Sequence, residues 1–219
     1  MNYKDKFKDK DKNITLYNMD CMELLKNTED NYYDLAIVDP PYGININVSM
    51  GRRKGNKKSD YHKFEGNDAS VPSGEYFKEL KRVSKNQIIW GANYMIDYLE
   101  PSSCWVVWDK WISEKMSFAQ CELAYTSFKS VTKIFKKVNS GKNRINIHPT
   151  AKPIKLYEWL LQNYAKEGDK ILDTHLGSGS IAIACNRLKY ELTACELDTE
   201  YFEASVKRYK EQTAQIQMF

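Results

Sequence analysis

The chain has 219 residues, of which 42% are apolar and 28% are charged, and these values exclude global disorder and fit one domain. Five scattered cysteines without a CxxC pair exclude a disulfide framework and a cysteine-based zinc site, and the three histidines lack metal-ligand spacing. The net charge of +4 is too mild to identify a polyanionic ligand by itself.

Along the chain, short apolar runs alternate with segments of helical periodicity, after a lysine- and aspartate-rich tail (1–13) that we expect to be flexible. This alternation predicts one doubly wound α/β domain over 14–219, with a mostly parallel sheet. No apolar run reaches the length of a membrane span. The predicted strands are 14–18, 34–39, 87–93, 104–109, 121–127, 170–175 and 191–197. The predicted helices are CMELLKN, SGEYFKELKRVS, PIKLYEWLLQNYAK, SIAIACNRLK and TEYFEASVKRYKEQ.

Two basic stretches interrupt this pattern. Residues 43–68 are poor in apolar side chains and read as a long, mobile surface loop, and residues 129–147 carry basic side chains without any acid. Both are equally well interpreted as solvated loops or as surfaces for a polyanion.

A stretch between the last two predicted strands, DTHLGSGS (173–180), indicates a nucleoside site. Asp173 ends a strand, and Gly177 and Gly179 would let the backbone approach a ligand closely. The next strand ends on Glu196, about twenty residues past the turn, where a carboxylate can accept from ribose hydroxyls. A bare tight turn is the alternative. The motif lacks the third glycine of the dinucleotide fingerprint, and the chain has no P-loop, so a nucleoside without pyrophosphate, such as S-adenosylmethionine, fits best.

The strand LAIVD is followed by two prolines and a tyrosine, giving DPPY at 39–42. An exocyclic amine of a nucleobase is a weak nucleophile, because its lone pair is delocalised into the ring. The Asp39 carboxylate and the Pro40 carbonyl, held rigid by Pro40 and Pro41, can accept from its N–H bonds and free that pair. Tyr42 offers a flat face on which the base can stack.

These motifs resemble those of the S-adenosylmethionine-dependent DNA methyltransferases that modify exocyclic amino groups, over residues 14–209. DPPY precedes the glycine loop, as in the circularly permuted beta group. The resemblance implies a Rossmann-like class I methyltransferase fold, with a seven-stranded, mostly parallel sheet and helices on both faces. It implies a catalytic role for Asp39, Pro40, Pro41 and Tyr42. It also implies cofactor binding by Asp20, Thr150, Lys152, Asp173, Gly177, Gly179 and Glu196.

The chain departs from the family pattern at Asp173-Thr174-His175, where the family reads DPF. We interpret His175 as a pocket wall rather than a base. DPPY favours adenine N6 as the target, with a cytosine-N4 enzyme, an RNA amino-methyltransferase and a catalytically idle nucleic-acid-binding subunit as alternatives.

We expect the partner to be double-stranded DNA, and we expect neither a metal ion nor a membrane contact. A homodimer is possible. The expected location is the cytoplasm, for a protein encoded by a prokaryote or a phage. The chain has no large target-recognition domain, and a role in restriction-modification is expected. Candidate phosphate contacts are Arg52, Arg53, Lys57, Lys58, Lys136, Lys137 and Arg144. Core packing is expected for Trp105, Trp108 and Trp111, and Trp90 and Asn93 are weaker candidates for the border of the target pocket.

Overall fold

A nine-stranded sheet organises the part of the chain that a computed structural model describes, residues 2–44, 70–112, 119–137 and 151–214. The strands are β1 Asp5–Asp9, β2 Ile14–Asn18, β3 Tyr33–Val38, β4 Ser84–Trp90, β5 Trp105–Asp109, β6 Cys121–Thr126, β7 Lys133–Lys136, β8 Lys170–Asp173 and β9 Glu191–Glu196. The α-helices are α1 Cys21–Lys26, α2 Gly74–Val83, α3 Ile154–Tyr164, α4 Ser180–Leu188 and α5 Thr199–Ala214. Their bounds agree with the five predicted helices to within two residues at every end.

The strand order is β1-β2-β9-β8-β3-β4-β6-β5-β7, and only β1 and β6 run against the others. Helices cover both faces of the sheet. Along β3, Leu35 and Ile37 face the core formed with α3, α4 and α5, while Ala36 and Val38 face the core formed with α1 and α2. This two-sided burial gives β3 its continuous apolar sequence. The predicted α/β class, with a mostly parallel sheet and helices on both faces, is confirmed.

Both edge strands differ from the sequence prediction. Residues 5–9, expected within a flexible tail, pair antiparallel with β2. Phe7 packs against Tyr209 with ring centroids 5.5 Å apart, and Asp9 accepts from the Tyr209 hydroxyl at 2.9 Å. The other edge, β7, lies in the basic stretch that suggested a loop. Charged residues are favoured on edge strands, so composition alone conceals such strands.

The topology places a crevice between β3 and β8. From β3 the chain adds β4 on one side, and from β8 it adds β9 on the other, while β3 and β8 pair in parallel. Ligands of open α/β sheets bind at such switch points, beside the carboxyl ends of the strands. None of the described helices is long and apolar enough to cross a membrane.

Candidate active site

Four acidic side chains lie at the carboxyl ends of four neighbouring parallel strands. Glu196 and Asp173 are the last residues of β9 and β8, while Asp20 and Asp39 come shortly after the ends of β2 and β3. The order of the strands thus brings together the acid of the DPPY motif and the three acids predicted to bind the cofactor. Asp20 is the N-cap of α1 and accepts from the backbone N–H of Met22 at 2.8 Å. Its side chain is exposed at the outer end of this row.

Glu196 is held by backbone donors. Its two carboxylate oxygens accept from the N–H of Gly177 at 2.8 Å and from the N–H of Asp198 at 3.0 Å. Burial raises the pKa of this carboxyl, although the backbone donors oppose that shift. Each carboxylate oxygen has a second lone pair, so an additional donor such as a ribose hydroxyl can still be accepted. The predicted contact with a ribose stays a prediction.

The two glycines of the loop have different structural roles. Gly177 has a φ of +50° and presents its N–H to Glu196. Gly179 has a φ of +71°, and a Cβ at this position would lie 3.1 Å from the Cβ of Ser205 in α5. The packing of α4 against α5 therefore accounts for Gly179, and its predicted cofactor contact stays a prediction.

Asp173 is almost completely buried, and its Oδ1 accepts from the His175 N–H at 3.0 Å. The pKa of Asp173 is raised to about 8, mainly by burial and in addition by the nearby carboxylates of Asp39 and Glu196. A cationic ligand beside Asp173 would restore its charged form. S-adenosylmethionine carries a sulfonium and an ammonium group, so the carboxylates at this edge fit that cofactor.

The DPPY acid is embedded in a network of side chains. The Tyr42 hydroxyl donates to Asp39 Oδ1 at 2.6 Å, and the Lys152 ammonium forms an ion pair with Asp39 Oδ2. The Lys152 Nζ atom also lies 3.2 Å from the Tyr42 hydroxyl oxygen. Among these groups, the Asp39 side chain keeps 18% of its surface exposed, whereas the Lys152 side chain keeps 1%. Asp39 is therefore positioned to accept from a group arriving from solvent.

Lys152 was predicted to bind the cofactor, and the structure directs its ammonium to Asp39. Its carbonyl oxygen accepts from the Ser180 hydroxyl at 2.7 Å, which ties it to the first turn of α4. Lys152 thus connects the glycine-loop helix to the DPPY motif. A direct contact with the cofactor stays a prediction, and Thr150 lies outside the described residues.

The Tyr42 ring is packed between two features of the segment after β4. The ring of Tyr94 stacks on it, with centroids 5.5 Å apart and an interplanar angle of 18°. Gly91 approaches it from another side with a φ of +66°, and a Cβ at Gly91 would overlap the ring. Neither Gly91 nor Tyr94 was predicted as a site residue. A glycine immediately after the strand IIW was the signal that could have revealed Gly91.

Trp90 and Asn93, the weaker pocket candidates, differ in their environments. Trp90 is fully buried, with its ring centroid 5.2 Å from the Lys152 ammonium nitrogen. Asn93 is exposed in the short 3₁₀ turn that includes Tyr94. Trp90 therefore forms the wall behind Lys152.

The charged network extends to β6. Glu122 Oε2 lies 3.2 Å from the Lys152 ammonium, and its Oε1 pairs with Lys110 at 2.7 Å. The pKa of Glu122 is lowered because the two ammonium groups outweigh the effect of burial, and the pKa of Lys152 is raised because the two carboxylates do the same. The strand sequence CELAYT carries no motif, so Glu122 has no signal in the sequence.

His175 lies beside the glycine loop. Its Nδ1 contacts the Thr174 hydroxyl at 2.9 Å, and Thr174 in turn contacts the Tyr76 hydroxyl at 2.7 Å. Burial lowers the pKa of His175 to about 4, so the imidazole is neutral near pH 7. The ring packs edge-on against Tyr76, as expected for a pocket wall.

Two of the predicted phosphate contacts are described. Lys136 ends β7 and Lys137 follows it, at the same sheet edge as Asp39. Trp111, expected in the core, has 75% of its surface exposed at that edge, so the core prediction is wrong for this residue, while Trp108 is buried. The remaining candidates, Arg52, Arg53, Lys57, Lys58 and Arg144, lie outside the described residues.

A family model described as DNA methylase, of the N6/N4 type, matches residues 89–207, more than half of the chain. The chain belongs to this family. The predicted resemblance is therefore confirmed, and the protein is a DNA amino-methyltransferase. In the described part of the chain, no cluster of His, Cys, Asp and Glu side chains could hold a metal ion.

Individual relatives span most of the chain. The Type II methyltransferase M2.MboI of Moraxella bovis is 24% identical over 97% of this chain and 93% of its own. M.HpaI of Haemophilus parainfluenzae is 27% identical over 86% of this chain and 71% of its own. Both relatives are named as Type II methyltransferases.

Solved structures share the fold of this family member. The M1.HpyAVI–SAM complex superimposes with a TM-score of 0.59 at 18% identity, covering 89% of this chain and 98% of that one. The cytosine-N4-specific PvuII DNA methyltransferase superimposes with a TM-score of 0.62 at 16% identity, covering 97% and 94%. The family resemblance and the fold thus agree.

Proposed function

We propose that this protein transfers a methyl group from S-adenosylmethionine to the exocyclic N6 of an adenine flipped out of duplex DNA. The observation that carries the proposal is the position of Asp39. It follows β3, immediately beside the strand β8 that ends on the buried Asp173. A base held at Asp39 would therefore lie next to a cofactor held at the glycine loop.

The cofactor supplies a methyl group made electrophilic by a sulfonium, and the protein has to align and activate the amine. Asp39 accepts from one amine N–H, and the Pro40 carbonyl is proposed as the second acceptor. Both acceptors are fixed before the base arrives, because the two prolines restrict the backbone and Tyr42 and Lys152 bind the carboxylate. The amine proton can leave to water after the methyl group has been transferred, so no strong base is required.

On the cofactor side, we propose that Asp173 and Glu196 bind the cationic and ribose portions, and that Asp20 binds the adenine. Gly177 contributes by presenting its N–H to Glu196, which fixes that carboxylate at the edge of the crevice. His175 closes the wall where the family has an apolar ring. These roles rest on the row of acids along four strand ends.

The choice of adenine rests on the aspartate that opens the DPPY motif. Cytosine N4 is the second candidate, favoured by the structural likeness to the cytosine-N4-specific PvuII enzyme. Both bases present an exocyclic amine to Asp39, so the network around Asp39 accommodates either one. An idle binding subunit is disfavoured, because burying the Lys152 ammonium against Asp39 carries a desolvation cost that an idle subunit has no function to offset.

The test is methyl incorporation into defined polymers, with identification of the modified nucleoside by mass spectrometry. We expect N6-methyladenine from mixed-sequence duplex DNA and no product from duplexes built only from guanine and cytosine. N4-methylcytosine as the sole product would replace the proposal with the second candidate. Incorporation into RNA but not DNA would also overturn it.

A further inference from the structure

Lys152 binds Asp39, the carboxylate that is proposed to accept a hydrogen bond from the target amine. The ammonium occupies one oxygen of Asp39 while the Tyr42 hydroxyl occupies the other. A cation so close to Asp39 weakens its attraction for an amine N–H. It also opposes the positive charge that develops on the amine nitrogen when the methyl group arrives. A second anion has to offset this effect.

Glu122 is the carboxylate that lies close enough to Lys152 to offset its charge. It lies on β6 opposite Trp108 of β5, and its Oε2 is 3.2 Å from the Lys152 ammonium. Two ammonium groups and two carboxylates then alternate in the order Lys110, Glu122, Lys152 and Asp39. The two positive and two negative charges of this row cancel, so the buried Lys152 ammonium does not depend on Asp39 alone for its neutralisation.

Glu122 also has unused capacity for Lys152. Its Oε2 is buried and accepts no hydrogen bond from any residue that the structure describes, because the contact with Lys152 has the distance but not the alignment of one. A small rotation of the Lys152 ammonium would complete this bond. Such a rotation would release Asp39 Oδ2 without leaving a buried charge unpaired.

We infer that Glu122 is a positioning residue that holds the Lys152 ammonium and thereby keeps Asp39 available for the target amine. This inference rests on the proposed function. The bond between the amine nitrogen and the methyl carbon would form as the bond between that carbon and the sulfonium sulfur breaks, and the electron pair of the broken bond would stay on sulfur. The amine nitrogen would carry the positive charge until it loses a proton to water. Glu122 offsets the repulsion between that nitrogen and Lys152.

The test compares Glu122→Gln with Glu122→Asp and with a matched control. Glu158→Gln is the control, because Glu158 is a buried glutamate paired with Lys155 and Arg187 on α3 and α4, away from Asp39. We expect Glu122→Gln to lower kcat roughly ten- to a hundredfold, as misplacement of a catalytic group does, with little change in KM for DNA or in cofactor affinity. Glu122→Asp should recover part of the rate, and Glu158→Gln should keep kcat near wild type.

A double-mutant cycle with Lys152→Met decides whether Glu122 acts through Lys152. If it does, adding Glu122→Gln to Lys152→Met lowers kcat little further, whereas independent losses multiply. Multiplied losses, a wild-type kcat for Glu122→Gln, or an equal loss in Glu158→Gln would each overturn the inference. If Glu122→Gln fails to fold, the Glu122→Asp variant and its cycle with Lys152→Met give the same decision.

The rate is measured as labelled methyl transferred to DNA, whichever base receives it. The modified nucleoside is identified separately. A cytosine product would therefore overturn the choice of adenine while leaving the role of Glu122 to be decided by the kinetics.

Discussion

The two halves of the crevice are built differently. On the cofactor side, Glu196 and Asp173 are fixed by backbone N–H groups from residues 173–198, a single strand–turn–helix–strand unit. On the catalytic side, Asp39 is fixed by side chains, including Lys152, which is distant in the chain. The cofactor side therefore tolerates changes in side-chain packing, whereas the catalytic side depends on a few charged and aromatic groups.

The largest effect is expected where the catalytic side is broken directly. Asp39→Ala removes the acceptor and leaves the Lys152 ammonium facing Glu122 alone. We expect kcat to fall about 10²- to 10³-fold, the loss typical of removing an electrostatic stabiliser. Cofactor affinity, measured by calorimetry, should stay close to that of the wild type, because the backbone-held acids are untouched. A variant that retained near-normal turnover would contradict the assignment of Asp39.

Gly91→Ala tests the aromatic part of the catalytic side. The added methyl group would overlap the ring of Tyr42, at a backbone φ of +66°. We expect kcat to fall about tenfold or more, because Tyr42 must move away from Asp39. Gly168→Ala is the matched control, since Gly168 has a φ of +85° but nothing within 4 Å of the added atom.

The control separates backbone strain from displacement of Tyr42. Left-handed strain costs an alanine about 1 kcal/mol at either position, so both variants should show a similar part of any loss in thermal stability. Only Gly91→Ala should lose activity at a temperature where both are folded. Equal kinetics for the two variants would show that Tyr42 need not hold its position.

The same contrast explains what the sequence could predict. The row of acids was predictable, because each acid directly follows an apolar strand, and parallel strands end at a common edge. The DPPY motif and the glycine loop were predictable as local patterns. The functional partners Glu122, Gly91 and Tyr94 were not, because their roles depend on contacts between elements that only the folded sheet brings together.

The edge strands were missed for a related reason. In β1 the exposed residues are aspartate and lysine, in β7 they are Ile134 and Lys136, and one phenylalanine per strand, Phe7 or Phe135, marks the partly buried side. Pairing with β2 and β5 supplies the information that the composition lacks. Trp111 was misassigned because the strand that carries Trp108 ends two residues before it.

A pH titration sharpens the description of the cofactor side. The pKa of Asp173 is raised to about 8 by burial, while His175, with a pKa lowered to about 4, does not titrate above pH 6. Below pH 8 the Asp173 carboxyl is protonated, so a cationic cofactor must displace a proton to gain its charged partner. We expect cofactor affinity to rise up to about tenfold per pH unit between pH 6 and pH 8.

Asp173→Asn should remove this pH dependence and bind more weakly at pH 8. The stability of the unliganded protein should change in the opposite sense. A carboxyl whose pKa is higher in the folded than in the unfolded state loses its stabilising contribution as pH rises from about 4 to 8. Thermal melting of the unliganded wild type should therefore show a steeper decline over this range than that of Asp173→Asn, in which Glu196 still has a raised pKa at this edge. A flat affinity profile for the wild type would contradict the role of Asp173.

The smallest effect is expected at the outer end of the catalytic side, at Lys136 and Lys137. Both lie at the carboxyl end of β7, on the same sheet edge as Asp39, where duplex DNA has to pass if its base reaches the crevice. Replacing both by glutamine should reduce the slope of log affinity against log salt by about two units, because each phosphate contact contributes about 0.9. The control replaces Lys8 and Lys10, which are exposed at the opposite end of the sheet. If the two double variants show the same slope, Lys136 and Lys137 are merely solvated, and the DNA path must cross the edge elsewhere.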